Sequence, residues 1–292
     1  MGYKITVYLA LAIISGITIG SVIADSEYPQ DFSVVVSQLP LLRSYRFGTG
    51  PGSDVRDVRG LSKSFNPYGI AGKTVINKEW QVYQPFNSRN FVFTPDALEI
   101  TATIPDRGGT FPGGIESGQI WTKEMFTPGR TGYSEYAIAV RMKIPGKRGA
   151  WPAAWLYTKE PGMNDGSEID NPEFFNMDNQ DSHDWTGYNH GPGVGAQLYS
   201  IKINRYVWHP GIDFSADYHT YSLYWTASTV SKYVDGQLIY SQLFSWTARG
   251  AAQLGINLAV GSNGTTLPGL KPTSVAEFPI KLALSRIDIW GK

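Results

Sequence analysis

From Thr74 onward the chain falls into short runs of alternating apolar and polar residues, separated by turn residues. The runs at 97–104 (ALEITATI), 135–144 (EYAIAVRMKI), 219–225 (HTYSLYW), 231–239 (SKYVDGQLI) and 282–290 (LALSRIDIW) show it most clearly. Period-two alternation sends successive side chains to opposite faces of a strand, one face buried and the other wet or ligand-facing. Asp235-Gly236 in the fourth run is a tight hairpin dipeptide, because both residues tolerate positive φ. No long helical period competes with this pattern. The prediction is an all-β fold, a two-sheet antiparallel β-sandwich of the jelly-roll kind.

Residues 1–24 read differently: Lys4 precedes a long apolar run that ends in Val22 and Ala24 before Asp25. This is the pattern of a signal peptide cut after Ala24, and the run is also long enough for an uncleaved anchor. Either outcome places the body of the chain outside the cytoplasm, secreted or tethered to a membrane. Residues 25–73 then form an N-terminal extension whose glycine-rich part, 47–72, reads as a long irregular loop, and 74–292 form the sandwich domain.

Composition narrows the function. The 292 residues carry 25 Lys and Arg against 25 Asp and Glu, so no basic field exists to hold nucleic acid. The absence of cysteine removes disulfides, thiolate metal sites and cysteine nucleophiles together. Four scattered histidines lack the spacing of a metal cluster.

The chemistry concentrates at 165–175, DGSEIDNPEFF. In a regular strand Glu168 and Asp170 share a face while Glu173, five residues beyond Glu168, points the other way. One extra residue between Asp170 and Glu173, a β-bulge, brings all three to one face, and Asn171-Pro172 is where a bulge is tolerated. Three adjacent carboxylates repel, so one stays protonated near neutral pH while another stays ionised. A retaining glycosidase needs that pair, about 5 Å apart across the scissile bond. Glu168 would be nucleophile, Glu173 acid/base, and Asp170 would tune the proton between them. The bland alternatives for such a cluster are a solvated face or a calcium site.

Glu168-Ile-Asp-Asn-Pro-Glu173 resembles the Glu-x-Asp-x-x-Glu signature of family 16 glycoside hydrolases in its bulge-containing form. Gly149–Leu156 (GAWPAAWL), Ser117–Lys123 (SGQIWTK), Asn77–Tyr83 with Asn87–Leu98, Tyr218–Trp225, Tyr233–Gly236, Ile256–Gly261 and Arg286–Trp290 are similar to further segments of that family, in order, over roughly 74–290. The resemblance implies a concanavalin-like sandwich with a concave, polysaccharide-binding sheet, and endo-hydrolysis of β-linked glucans or galactans, with β-1,3- or mixed β-1,3/1,4-glucan as the leading expectation. Carried over, Glu168, Asp170 and Glu173 keep the roles given above, and catalysis requires no cofactor. Trp151 and Trp155 are placed in the cleft, with Asn90 and Arg89 as binders of sugar hydroxyls. Trp121 reads equally as cleft or packing residue, and Arg89 also as a surface residue. Asp288 resembles the side-chain ligand of a structural calcium, whose oxygen-only ligation the residue type suits. Trp185 and Tyr188, on a polar loop, are candidates for a product-side subsite, and His190 for a hydrogen-bonding neighbour of the acids.

The sequence departs from the resemblance at Asn171-Pro172, Phe174-Phe175 and the polar loop 176–195. Transglycosylation onto a cell-wall or exopolysaccharide glycan, a marine galactanase of the agarase or carrageenase type, and a non-catalytic glycan-binding module therefore stand as alternatives. The expected partner is a polysaccharide and the expected state a monomer, with no nucleic acid and no membrane partner unless the N-terminal segment is retained.

Overall fold

The computed structural model describes residues 29–69, 72, 74–76, 79–105, 114–158, 168–175, 185–187, 189–190, 206–208, 212–246, 250–261, 272 and 275–292. The expected export signal, Tyr188 and most of the loop 176–195 lie outside them.

Two large antiparallel sheets stack face to face. The outer sheet runs β16 (Gln237–Leu243), β15 (Thr229–Val234), β14 (His219–Thr226), β8 (Glu135–Lys143), β18 (Ile280–Gly291), β5 (Leu98–Ala102) and β4 (Phe91–Phe93), with β1 (Leu41–Arg46) also paired to β18. The second sheet, called the cleft sheet below, runs β13 (Tyr206–Trp208), β11 (Trp185–Gly187), β10 (Glu168–Glu173), β9 (Ala150–Tyr157), β17 (Gln253–Val260), β7 (Gln119–Thr122) and β2 (Phe65–Asn66). The two-residue β12 (Asn189–His190) also pairs with β10, and β3 (Gln81–Tyr83) with β6 (Ile115–Ser117) forms a small parallel pair.

The sequence pattern accounts for both layers. Ile138, Val140 and Met142 of β8, Tyr221, Leu223 and Trp225 of β14, and Leu282, Leu284, Ile287 and Ile289 of β18 are all buried. They meet Ala154, Leu156, Ile169, Leu254, Ile256 and Leu258 of the cleft sheet in one continuous core. Each fully buried Leu or Ile contributes roughly 1.5–3 kcal/mol from burial alone. The β15–β16 turn is the one read from the sequence: Asp235 sits at φ 49° and Gly236 at φ 87°. The Asp235 carboxylate is fixed by the Thr220 N–H at 2.8 Å and by His219 Nδ1 at 2.6 Å.

The N-terminal segment adds to both sheets. A short helix α1 (Phe32–Val36), capped by Asp31 on the Ser33 N–H, stacks Phe32 on Tyr233 and Trp290 of the outer sheet. The stretch 47–72, read from its glycines as irregular, contains a helix α2 (Val58–Ser64) and β2 at the cleft-sheet edge. Asp57 nucleates that helix by accepting the Gly60 N–H at 2.7 Å.

Candidate active site

The acids stand on β10, whose register against β9 settles which way they face. Glu168 pairs with Tyr157, Asp170 with Trp155 and Glu173 with Ala153. Three residues of β10 thus span two of β9 between Asp170 and Glu173, which is the one-residue bulge expected at Asn171-Pro172. Residues directly opposite in an antiparallel ladder share a face. Because Trp151, Ala153, Trp155 and Tyr157 alternate along β9, all three acids lie on that same face. Asn171 ties the bulge to the outer sheet by donating from Nδ2 to the Ser222 carbonyl at 2.7 Å. Pro152 is tolerated in mid-sheet because its carbonyl faces β10, where it accepts the Phe174 N–H at 3.1 Å. The side on which its own N–H is missing is therefore the end of the β9–β10 ladder.

Enclosure and mutual repulsion set the charges. Glu168 is pushed up to about 8, first by burial and then by the charge of Glu173, while a hydrogen bond from Asp170 acts the other way. Burial raises the Asp170 carboxyl well above the usual range, and the neighbouring Glu168 charge adds to it. The consistent microstate is a protonated Asp170 donating to an ionised Glu168, one proton shared by the pair. Glu173 takes a hydrogen bond from Trp151 Nε1 at 2.7 Å, which favours its ionised form and fixes its direction.

The tryptophans do more than offer flat surfaces. Trp155 Nε1 donates to Asn257 Oδ1 at 2.9 Å, and Asn257 Nδ2 donates to the Tyr83 hydroxyl at 2.9 Å. Trp155 packs edge-on to Trp121 at 4.8 Å and tilted on Tyr157 at 5.1 Å, and Trp151 packs on Phe175 at 5.4 Å. Trp151→Phe is expected to leave the fold intact and shift the basic limb of the kcat/KM pH profile upward. The lost N–H no longer favours the Glu173 carboxylate, and a pH–rate series on the variant checks it.

Several site expectations need correction. Trp121 shares the cleft face but is only 1% exposed, with Nε1 bonded to Gln119 Oε1 at 2.9 Å. Gly69 and Gly255 pass so close to its ring that a Cβ on either would come within 2.7 Å and 2.6 Å of it. It is a packed support beneath Trp155. Gly255→Ala should therefore cost about 1–3 kcal/mol, the range for overpacking, readable as a lowered melting temperature. Asn90 is fully buried at the start of β4, its amide donating to the Thr101 carbonyl at 2.7 Å and to Thr103 Oγ1 at 3.3 Å. Arg89 beside it bonds the Ile104 carbonyl and pairs with Glu116 at 3.4 Å. Both brace the outer-sheet hairpin, Asn90 from a buried position and Arg89 from a partly exposed one.

Trp185 sits next to Thr186, the residue that pairs with Glu173, and is itself opposite Trp208. His190 occupies the register position directly across from Glu168. Asp288 is buried, with Arg286 Nε 2.6 Å from its Oδ2 and its Oδ1 without a hydrogen-bond partner. Among the described residues no three His, Asp or Glu side chains gather in a way that would hold a metal ion. Sequence reasoning missed Lys232, fully buried on β15, whose Nζ donates to the Asp170 backbone carbonyl at 2.8 Å. Its signal was present in the alternation, because it occupies an inward position between Val230 and Val234.

Comparison with known proteins gives this geometry its relatives. The chain is 30% identical over 172 residues to a beta-glucanase of Acetivibrio thermocellus, an alignment that takes in 58% of this chain and 43% of that protein. It thus spans less than half the length of the curated relatives it matches. The catalytic domain of an endo-1,3-beta-glucanase (laminarinase) from Thermotoga petrophila RKU-1 superposes with a TM-score of 0.64 at 25% identity, covering 87% of this chain and 98% of that one. An endo-beta-1,3-glucanase from Pyrococcus furiosus shares the fold, with a TM-score of 0.64 at 24% identity over 87% and 94% of the two chains. The model of glycosyl hydrolases family 16 matches residues 92–248, more than half of the chain. With its sandwich, its bulged acid strand and this match, the protein belongs to glycosyl hydrolases family 16.

Proposed function

We propose that this protein is a secreted endo-glycosidase that hydrolyses β-1,3- or mixed β-1,3/1,4-glucan with retention at the anomeric carbon. The observation that carries the reading is the bulge in β10, which puts Glu168, Asp170 and Glu173 on one face beside Trp151 and Trp155. The beta-glucanase and laminarinase relatives support the substrate class.

In the first step the Glu168 carboxylate attacks the anomeric carbon as Glu173 gives its proton to the departing glycosidic oxygen. The C–O bond breaks, the shortened chain leaves with a free hydroxyl, and the glycosyl unit remains as an ester on Glu168. In the second step Glu173, now ionised, takes a proton from water. The oxygen of that water attacks the same carbon and releases Glu168 as a carboxylate. Asp170 keeps its proton on the hydrogen bond to Glu168, which makes that carboxylate a better leaving group in the second step. The indole of Trp151 holds Glu173 in line with the leaving oxygen.

The test is incubation with laminarin and lichenan, following reducing ends and product sizes. The reading expects a ladder of internal-cleavage oligosaccharides from at least one of the two. Release of no reducing ends from either would overturn it.

A further inference from the structure

Among the described residues Lys232 is the one lysine or arginine whose side chain is fully buried. It stands opposite Leu223 of β14 and Tyr240 of β16, so it enters the core from the outer sheet. Its Nζ reaches the back of the cleft sheet and bonds the Asp170 carbonyl, at the residue where the register shift begins. Asn171, one residue on, makes the second bond from the bulge to the outer sheet, to Ser222. An ammonium placed in an apolar core is costly, and a methionine would fill the same space at less cost. The charge it answers is on the far side of β10, where three carboxylates crowd one face.

We propose that Lys232 is a positioning residue for the carboxylate triad: from behind the sheet it anchors the bulge and supplies a positive charge that favours the ionised form of the Glu168–Asp170 pair. This deepens the glycosidase reading and rests on it. The titratable groups that act on Lys232 are Asp170 and Glu173, across β10, with the Tyr240 ring of β16 5.8 Å away; on β14 Leu223 stands opposite it and the buried Tyr221 two residues along. Burial draws the ammonium down to about 7, against the pull of Asp170 and then Glu173, so the cation persists below that pH. Lys232 touches no sugar.

The test compares Lys232→Met with Lys232→Arg. Removing the cation disfavours the carboxylates, so in Lys232→Met the acid limb of kcat/KM should move up by about one pH unit, within the range for a nearby opposite charge. KM at the pH optimum should stay unchanged. Lys232→Arg keeps the charge and should keep the parent limb. A second readout is independent of turnover: ¹³C titration of the Glu and Asp carboxyl carbons should show the triad ionising at higher pH in Lys232→Met. Unmoved limbs and unmoved carboxyl titrations in a folded Lys232→Met protein would overturn the inference while leaving the glycosidase reading intact. A parent enzyme that cleaves no β-glucan would sink that reading, and the ¹³C titration would still decide the role of Lys232.

Discussion

Glu168→Gln should lower kcat on laminarin by about three to six orders of magnitude, the scale of losing a covalent nucleophile, while making the protein more stable at neutral pH. The two effects share a cause. Glu168 sits in an enclosed position beside Glu173, so its ionised form is disfavoured and its folded pKa lies near 8 against an ordinary 4.5. Between those values the folded chain holds more protons than the unfolded one, so this group's contribution to stability is full below about 4.5 and is lost as pH rises toward 8. Asp170 acts in the same direction. Lys232 opposes both above about 7, because its depressed pKa leaves the unfolded chain holding the extra proton there. A neutral glutamine removes the Glu168 part. Melting temperatures taken from pH 4.5 to 7 should therefore fall for the parent and fall less for the variant. Parallel curves would show that Glu168 ionises without penalty.

The second large effect is at Glu173. In the proposed double displacement, replacing it with alanine removes the proton donor of the first step and the base of the second, each worth about 10²–10⁴ in rate. The loss should depend on the leaving group. On laminarin, whose alkoxide cannot depart unprotonated, Glu173→Ala should be nearly inactive. On an aryl β-glycoside with an acidic phenol the first step should survive. A burst of phenol equal to the enzyme present should then precede a slow steady state, and azide, which needs no base, should accelerate turnover. Equal losses on both substrates, with no burst, would assign the acid/base role elsewhere. Trp151 donates to this carboxylate, so its substitution should produce a milder form of the same defect.

Local patterns carried far in this chain. The acids at 168, 170 and 173 share a face only if the strand gains a residue, and the register shift is found where Asn171-Pro172 permits it. Asp235-Gly236 needed only its own φ preferences to define the β15–β16 turn. What stayed hidden depends on contacts between distant segments. Asn90 carries a surface-type side chain, yet it is buried and its Nδ2 donates to Thr101 and Thr103. Trp121 faces the cleft sheet's outer side as alternation requires, but Gly69, from a segment with no clear pattern, closes over it. The Lys232 bond to Asp170 joins residues 62 apart on different sheets, and no periodicity reports it. The pairing of Asp288 with Arg286 was readable locally, since two residues apart on a strand share a face.

Retention at the anomeric carbon requires both glutamates to act from one face of β10 in a double displacement. The most direct measurement is the configuration of the first product from a β-1,3-linked glucan, followed by proton NMR before mutarotation sets in. Two inversions at the same carbon predict that the new reducing end appears as the β-anomer and converts slowly to the equilibrium mixture. First appearance of the α-anomer would mean a single displacement by water, and would contradict the role given to Glu168.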